Sequence, residues 1–378
     1  MAGCAGLVLT GGGARGAYQA GAVLAISEIV PGHALPFPIL AGSSAGSINV
    51  AYLGSRADDF PQAARDLADL WTSLEPSKVF KTDAVTLAKT GVGWIEDLGF
   101  GGWIGTGRGK SLLDTAPLRE LLHAQFDAAA LAHHVRAGRV RGAGITATNY
   151  ESGLAVTFFE GDASIAPWNR VTRVGLRAAI DFRHVLASSA IPVFFPAVEI
   201  DGDWYADGSV RLSTPLSPAI HMGAERIVAI AVRHEAERAA GSAPREPVGY
   251  PTLADTGGVL LNALLLDALE SDVERTRRIN LTLSLLAPEV RASQRTQLRN
   301  VDVLALRPSV DLGSLVMKTL ERFPLVVRHL FRGLGASDVA GWDLLSYLAF
   351  DVAYTTRLLE LGYEDTMVRA DEIRAFLA

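Results

Sequence analysis

The chain lacks the residues that would tie it to several common classes. One cysteine, Cys4, stands among 378 residues, so no intrachain disulfide can form and a reducing, cytoplasmic setting is expected. Lysine is scarce, with five of the 35 cations, against 30 arginines. A GC-rich coding bias explains that skew more simply than phosphate-binding chemistry does. The net charge of -6 has the wrong sign for a general nucleic-acid binder. No charge-free run of about 18 apolar residues occurs; the densest stretch, 257–269, is interrupted by Asn262 and Asp267. The N-terminus lacks the basic region of a secretion signal. Histidines, carboxylates and the cysteine show no metal-ligand spacing. The chain is therefore expected to be soluble, or at most peripheral to a membrane.

What is abundant is apolar surface and glycine: 49% hydrophobic residues and 37 glycines. That apolar content supplies a sizeable core and excludes intrinsic disorder. Residues 5–10 form a short apolar run closed by glycines, which reads as a buried strand. Residues 14–29 have helical spacing and stop at Pro31-Gly32; residues 37–41 read as a second strand, followed by helices at 44–52 and 61–74. Strand, helix, strand, helix implies an α/β fold with a parallel sheet and helices on its faces. Further strands are predicted at 140–148, 154–159, 226–232 and 300–306, with a hairpin region at 198–210 and a helix at 257–278. Residues 75–110 read as a mobile surface excursion of lid type, and 234–249 as an exposed loop. From residue 312 the pattern is wholly helical, placing a boundary between a 1–310 α/β domain and a 311–378 extension.

Two glycine-rich turns follow the first two strands. Gly11-Gly12-Gly13-Ala14-Arg15-Gly16 sits where strand meets helix, where backbone N–H groups and the helix dipole favour an anion. It satisfies the dinucleotide fingerprint literally, but the next strand ends in Ala41-Gly42-Ser43-Ser44, without the required acidic residue. Gly105 to Ser111 imitates a P-loop, yet Ile104 stands where its first glycine belongs. The second turn, Gly42-Ser43-Ser44-Ala45-Gly46, fits a nucleophile elbow, whose flanking glycines relieve crowding at a sharp strand-to-helix turn. An ordinary serine N-cap is the alternative. The adjacent glycine loop favours the nucleophile, because it offers N–H donors to an oxyanion forming at Ser44.

A serine nucleophile needs a base. The histidines sit at helix ends or beside arginines, without a catalytic context. Asp201-Gly202, between two apolar segments, reads as a hairpin turn. Asp207-Gly208 ends the second strand of that hairpin, where Gly208 would let the backbone pass the elbow and Asp207 would face Ser44. Asp207 capping Gly208-Ser209 is the alternative. Partial burial would raise the carboxyl pKa and make it a better base.

These three motifs, in this order, resemble the patatin-like phospholipases. Gly11 to Gly16 is similar to that family's oxyanion loop with its arginine, Gly42 to Gly46 to its nucleophile elbow, and Asp207-Gly208 to its dyad aspartate motif. The likeness spans roughly residues 5–232. It implies a three-layer α/β/α fold with an appended C-terminal helical region, a Ser44–Asp207 dyad without histidine, and neither metal nor cofactor. The implied activity is lipid acyl hydrolysis of the phospholipase A or lysophospholipase type, with a lipid ester as partner. Gly11, Gly12, Gly13 and Ala45 would bind the oxyanion, and Gly42, Gly46 and Gly208 would shape the site. Arg15 would hold the glycine loop or meet a substrate phosphate. A lipid-binding module without turnover and an acyltransferase using the same dyad are the alternatives. Ser209 departs from the Gly or Ala usual after Asp-Gly, which puts the aspartate's hydrogen bonding in question.

Residues 313–332 combine an apolar stripe with Lys318, Arg322, Arg328, Arg332 and Glu321. A basic amphipathic stretch suits an anionic lipid surface, but Pro324 divides it, and packing of the stripe on the α/β domain is the preferred reading.

Overall fold

The computed structural model describes residues 3–82, 111–234, 268–287, 298–316 and 342–378, with scattered positions between these segments. Most of the expected lid segment, the P-loop lookalike, the 234–249 loop and most of the 313–332 stripe lie outside the described residues.

Ten described strands form one mixed sheet: β1 (Ala5–Leu9), β2 (Ile39–Ser43), β3 (Gly142–Asn149), β4 (Ala155–Gly161) and β5 (Trp168–Arg170), then β6 (Arg173–Arg177), β7 (Val198–Ile200), β8 (Asp203–Asp207), β9 (Arg226–Ile230) and β10 (Asp302–Leu306). The order is β10-β9-β1-β2-β3-β4-β6-β5, with the β7–β8 hairpin attached to β3. The five strands from β10 to β3 are mutually parallel. β1 and β2 are buried along their whole length, as apolar runs covered on both faces must be.

The side-chain period of two sorts these strands into two cores. Leu7, Leu9, Leu40, Ile145 and Ile230 face one layer, whereas Val8, Ile39, Ala41, Ile227 and Ala229 face the other. The first layer holds α1 (Gly16–Ile29), α2 (Ala45–Gly54), α3 (Phe60–Thr72), the single turn α4 (Pro76–Val79), α5 (Ala116–Gln125), α6 (Ala128–Arg136) and α7 (Phe182–Ser188). The second is covered by α8 (Ser217–Met222) and α9 (Ala268–Ser284). The result is the expected α/β/α sandwich. Helix α9 runs on to Ser284, six residues past the predicted stop at Arg278, because no glycine or proline ends it there.

The C-terminal helices α10 (Trp342–Leu348), α11 (Val352–Met367) and α12 (Ala370–Leu377) pack into the first layer. Leu344, Leu358 and Ile373 share the hydrophobic core of α1. Helices α1 and α11 touch backbone to backbone: a Cβ on Gly21 would run into the Leu359 carbonyl, and one on Gly362 into that of Tyr18. Tyr18 Oη then donates to Asp365 Oδ2 at 3.1 Å. Of the 313–332 stripe, Val316 is buried and Leu315 packs on this core.

Candidate active site

The elbow expected after β2 is present. Ser44 has φ 52° and ψ -128°, a conformation that costs a non-glycine residue about 1–3 kcal/mol unless its surroundings enforce it. They do so on every side. A Cβ on Gly42 would lie 2.5 Å from the Gly46 carbonyl oxygen, and one on Gly46 would strike the Leu9 carbonyl. Ser44 N donates to Ser188 Oγ at 2.9 Å, and Ser188 Oγ donates to the Thr146 carbonyl at 2.6 Å. The Ser44 carbonyl accepts from Ser47 Oγ at 2.6 Å and from Ser189 Oγ at 3.3 Å. Ser44 occupies the N-cap position of α2, yet its side chain makes no capping hydrogen bond.

Asp207 reaches this point because two strands share one edge of β3. Parallel β2 pairs with it up to Ser43 opposite Thr146, and antiparallel β8 takes over, with Asp207 opposite Ala147. The end of one strand therefore meets the end of the other. Asp207 N donates to the Ala190 carbonyl at 2.8 Å, and Thr148 Oγ1 donates to the Asp207 carbonyl at 2.8 Å. Gly208 is needed for a different reason than the sequence suggests. A Cβ there would collide with the Thr146 carbonyl of β3, not with the elbow.

The Asp207 carboxyl is fully buried. Oδ1 accepts from Ser209 N at 2.9 Å, so the aspartate does cap the turn that follows. Oδ2 has no well-aligned partner. The Ser44 hydroxyl lies near enough to favour the carboxylate but is not aligned as a donor to it; such bonds commonly tighten only when substrate arrives. Burial pushes this carboxyl from its ordinary value of 3.8 up to about 6, against the opposing pull of the Ser44 hydroxyl and the Ser209 N–H and hydroxyl. Ser209 Oγ also donates to Ser43 Oγ at 3.2 Å, so the residue that departs from the family pattern ties the aspartate's turn to the elbow.

The glycine loop closes the third side. A Cβ on Gly11 would stand 3.0 Å from Ser44 Cβ, and one on Gly12 2.5 Å from Val232 Cγ2. Gly13 has φ +57° and backs onto the Tyr347 carbonyl. Gly13 opens a 3-10 turn (Gly13–Arg15) and Ala45 opens α2. N–H groups at such positions have no partner inside their own helix, and both residues border the space in front of Ser44. Arg15 is 2% exposed. Its Nε and Nη2 donate to Ser346 Oγ at 2.9 and 2.6 Å, and the guanidinium lies 4.5 Å from the centre of the Tyr347 ring. Of the two roles the sequence left open for Arg15, this geometry fits the holding one.

Ser44 opens onto an almost wholly apolar cleft. One face of α2 lines it through Ala45, Ile48, Ala51 and Tyr52. Leu70 and Trp71 of α3, Leu118 and Leu122 of α5, Val185 of α7 and Phe350 complete the walls. No described histidine borders it. His184 is engaged with Asp181 at the start of α7, and His221 stacks on Trp168. Among the described residues no histidine, cysteine or carboxylate cluster fits a metal, and no helix is long and apolar enough to cross a membrane.

Sequence reasoning missed Ser188, Ser189, Ser47 and Phe350. The three serines resemble the helix-end serines found in any chain, and nothing near Phe350 marks it as part of a site.

Fold and site together describe an α/β protein in which a strained serine and a buried carboxylate converge at the sheet edge beside a glycine loop. The chain belongs to the patatin-like phospholipase family, whose model matches residues 7–220; this is a family of lipid hydrolases. Among solved structures it is similar to VipD from Legionella pneumophila, at 13% identity and a TM-score of 0.34, over 97% of this chain and 66% of that one. The chain thus spans about two thirds of that protein's length. No curated protein matches it.

Proposed function

We propose that the protein is a lipid acyl hydrolase of the phospholipase A or lysophospholipase type, working through an acyl-Ser44 intermediate with Asp207 as base. The observation that carries this reading is the convergence of Ser44, in its enforced conformation, with the buried Asp207 carboxyl at the head of an apolar cleft.

The cleft receives the acyl chain and presents the ester carbonyl to Ser44. Ser44 Oγ attacks the carbonyl carbon while its proton passes to Asp207. The charge that develops on the carbonyl oxygen is met by N–H groups of Gly12, Gly13 and Ala45, in a site that excludes bulk water and so strengthens each interaction. Collapse of the tetrahedral adduct breaks the ester C–O bond, and the leaving alcohol takes the proton back from Asp207. Water then attacks the acyl-enzyme, gives a proton to Asp207, and the departing Ser44 oxygen recovers it as the fatty acid is released. A carboxylate whose pKa is raised toward 6 accepts a serine proton less steeply uphill than one near 4.

The test is fluorophosphonate labelling together with lipid product profiling, with wild type and Ser44→Ala side by side. Labelling at Ser44 and Ser44-dependent release of fatty acid are expected. A wild type that neither labels nor releases fatty acid from any phospholipid, lysophospholipid or simple ester refutes the reading. Transfer of the acyl group to an added alcohol in preference to water would make the protein an acyltransferase instead.

A further inference from the structure

We propose that residues 346–350, which lie outside the 7–220 family segment, are working parts of this active site. Ser346 and Tyr347 hold the glycine loop in its oxyanion-binding shape, and Phe350 forms one wall of the acyl cleft. The inference rests on the hydrolase reading above and adds to it the origin of the loop's rigidity.

The glycine loop cannot fix its own shape. Between β1 and α1 it has only the three-residue 3-10 turn, entered through Gly13 at φ +57°, and glycine keeps more backbone freedom than any other residue. The C-terminal segment restrains it at two successive points. The Tyr347 carbonyl occupies the space beside Gly13 where a side chain would otherwise be. Ser346 Oγ accepts both Arg15 donors, at 2.9 and 2.6 Å, and the Tyr347 ring underlies the guanidinium.

The segment is itself anchored. Tyr347 Oη donates to Asn262 Oδ1 at 2.7 Å, and Tyr354 Oη donates to the Leu312 carbonyl at 3.0 Å. Ser346, Tyr347 and Phe350 are all buried, so the Arg15–Ser346 bonds are shielded from water. Three residues later than Tyr347, Phe350 borders the same cleft as Gly13 and Ser44. Within five residues the chain therefore backs the loop, clamps its arginine and walls the cleft. Ser346 and Tyr347 act through Arg15 and Gly13 and are positioning residues. Phe350 contacts the acyl chain directly.

Displacement of catalytic groups by about 1 Å costs on the order of 100-fold in rate, and loss of a whole oxyanion donor costs about 100- to 1,000-fold. Loosening the loop without removing a donor is expected to cost about tenfold in kcat. The experiment compares Ser346→Thr with Ser346→Val, which have nearly the same shape, so that packing strain cancels and the hydroxyl alone differs. Ser346→Val should fall about tenfold below Ser346→Thr in kcat, with KM values within about twofold of each other, because the ground-state substrate is held by the cleft. Affinity for an alkyl trifluoromethyl ketone, whose Ser44 adduct carries the oxyanion, should fall by the same factor. Phe350→Ala should change the ratio of long-chain to short-chain ester kcat/KM by about tenfold. Equal kcat in the Thr and Val variants, or a kcat difference with unchanged ketone affinity, overturns the brace. If the wild type shows no Ser44-dependent turnover, the hydrolase reading falls, and amide hydrogen exchange at residues 11–16 decides the brace. Faster exchange in Ser346→Val than in Ser346→Thr supports it; equal exchange overturns it.

Discussion

Replacing Asp207 by asparagine should abolish turnover and stabilise the fold at the same time. Burial raises the carboxyl from 3.8 to about 6, so between those values the folded state keeps a proton that the unfolded state has released. As pH rises through that window the folded state loses ground, and the loss is complete above about pH 6. A shift of roughly two units corresponds to about 3 kcal/mol. Asparagine has the same shape and no charge. Its oxygen retains the Ser209 N–H bond now made by Oδ1, and its amide takes the place of Oδ2, which has no well-aligned partner and lies near the Ser44 hydroxyl. An imperfectly satisfied amide costs about 1–3 kcal/mol, so the net gain at pH 8 is about 0–2 kcal/mol. With an unfolding entropy of about 2.1 cal/mol/K per residue over 378 residues, Tm rises by up to about 3 °C. Calorimetry of wild type and variant at pH 8 and pH 4.5 reads this directly. The gap should narrow at the lower pH, where the wild-type carboxyl is protonated in the folded state. A variant that melts below wild type at pH 8, or a gap that ignores pH, refutes the burial argument. In the same preparation kcat should fall by about 1,000-fold or more, and near-normal turnover would end the role of Asp207 as base.

Two further substitutions test the scaffold around this pair. Gly208→Ala drives a methyl into the Thr146 carbonyl of β3; it should destabilise the fold by about 1–3 kcal/mol and lower kcat, read by denaturant melts and ester kinetics. Ala51 borders the cleft on the face of α2 that starts at Ser44, about 10 Å along the helix. Ala51→Phe should spare short esters and penalise longer acyl chains by about fourfold for each methylene that loses its apolar site. A p-nitrophenyl ester series that shows no dependence on chain length would count against the cleft as the acyl site.

The features legible in the sequence are those that local backbone geometry imposes. Leu7 to Leu9 is apolar on both faces, and that pattern alone announces a strand inside a sandwich. Asp201-Gly202 adopts positive φ at both residues, the turn its dipeptide predicts. Gly42 and Gly46 bracket Ser44 at the spacing that crowding requires, and with the adjacent glycine loop those five residues point to an elbow rather than a plain N-cap. Contacts between distant segments carry no such mark. Ser188 lies 144 residues from the Ser44 amide it receives, and Ser346 lies 331 residues from Arg15. Each is an ordinary serine in its own neighbourhood. Gly208 sits between these cases: the need for glycine was visible, but the obstructing carbonyl belongs to β3, whose register with β2 and β8 no local pattern specifies.

That register also bears on how a carboxylate can serve without histidine. In a three-residue triad the histidine itself takes the serine proton while the acid orients it and stabilises its charge, so three side chains must be placed. Here β3 measures both partners against consecutive residues, Thr146 for the end of β2 and Ala147 for the end of β8. Asp207 is thereby brought within reach of Ser44 by sheet pairing, with the Ala190 carbonyl and the Thr148 hydroxyl fixing its backbone. The carboxyl is also fully buried where these strand ends meet. In the proposed mechanism burial makes Asp207 a better base, and the same physical term makes it a worse contributor to stability, so the two consequences cannot be separated by moving the residue. Ser209 moderates both: its N–H and hydroxyl favour the carboxylate, while its hydroxyl also ties the turn after Asp207 to Ser43 of the elbow. Removing the Ser209 hydroxyl should therefore shift the acid limb of the kcat/KM profile to higher pH, and an unshifted limb would show that burial alone sets the aspartate's basicity.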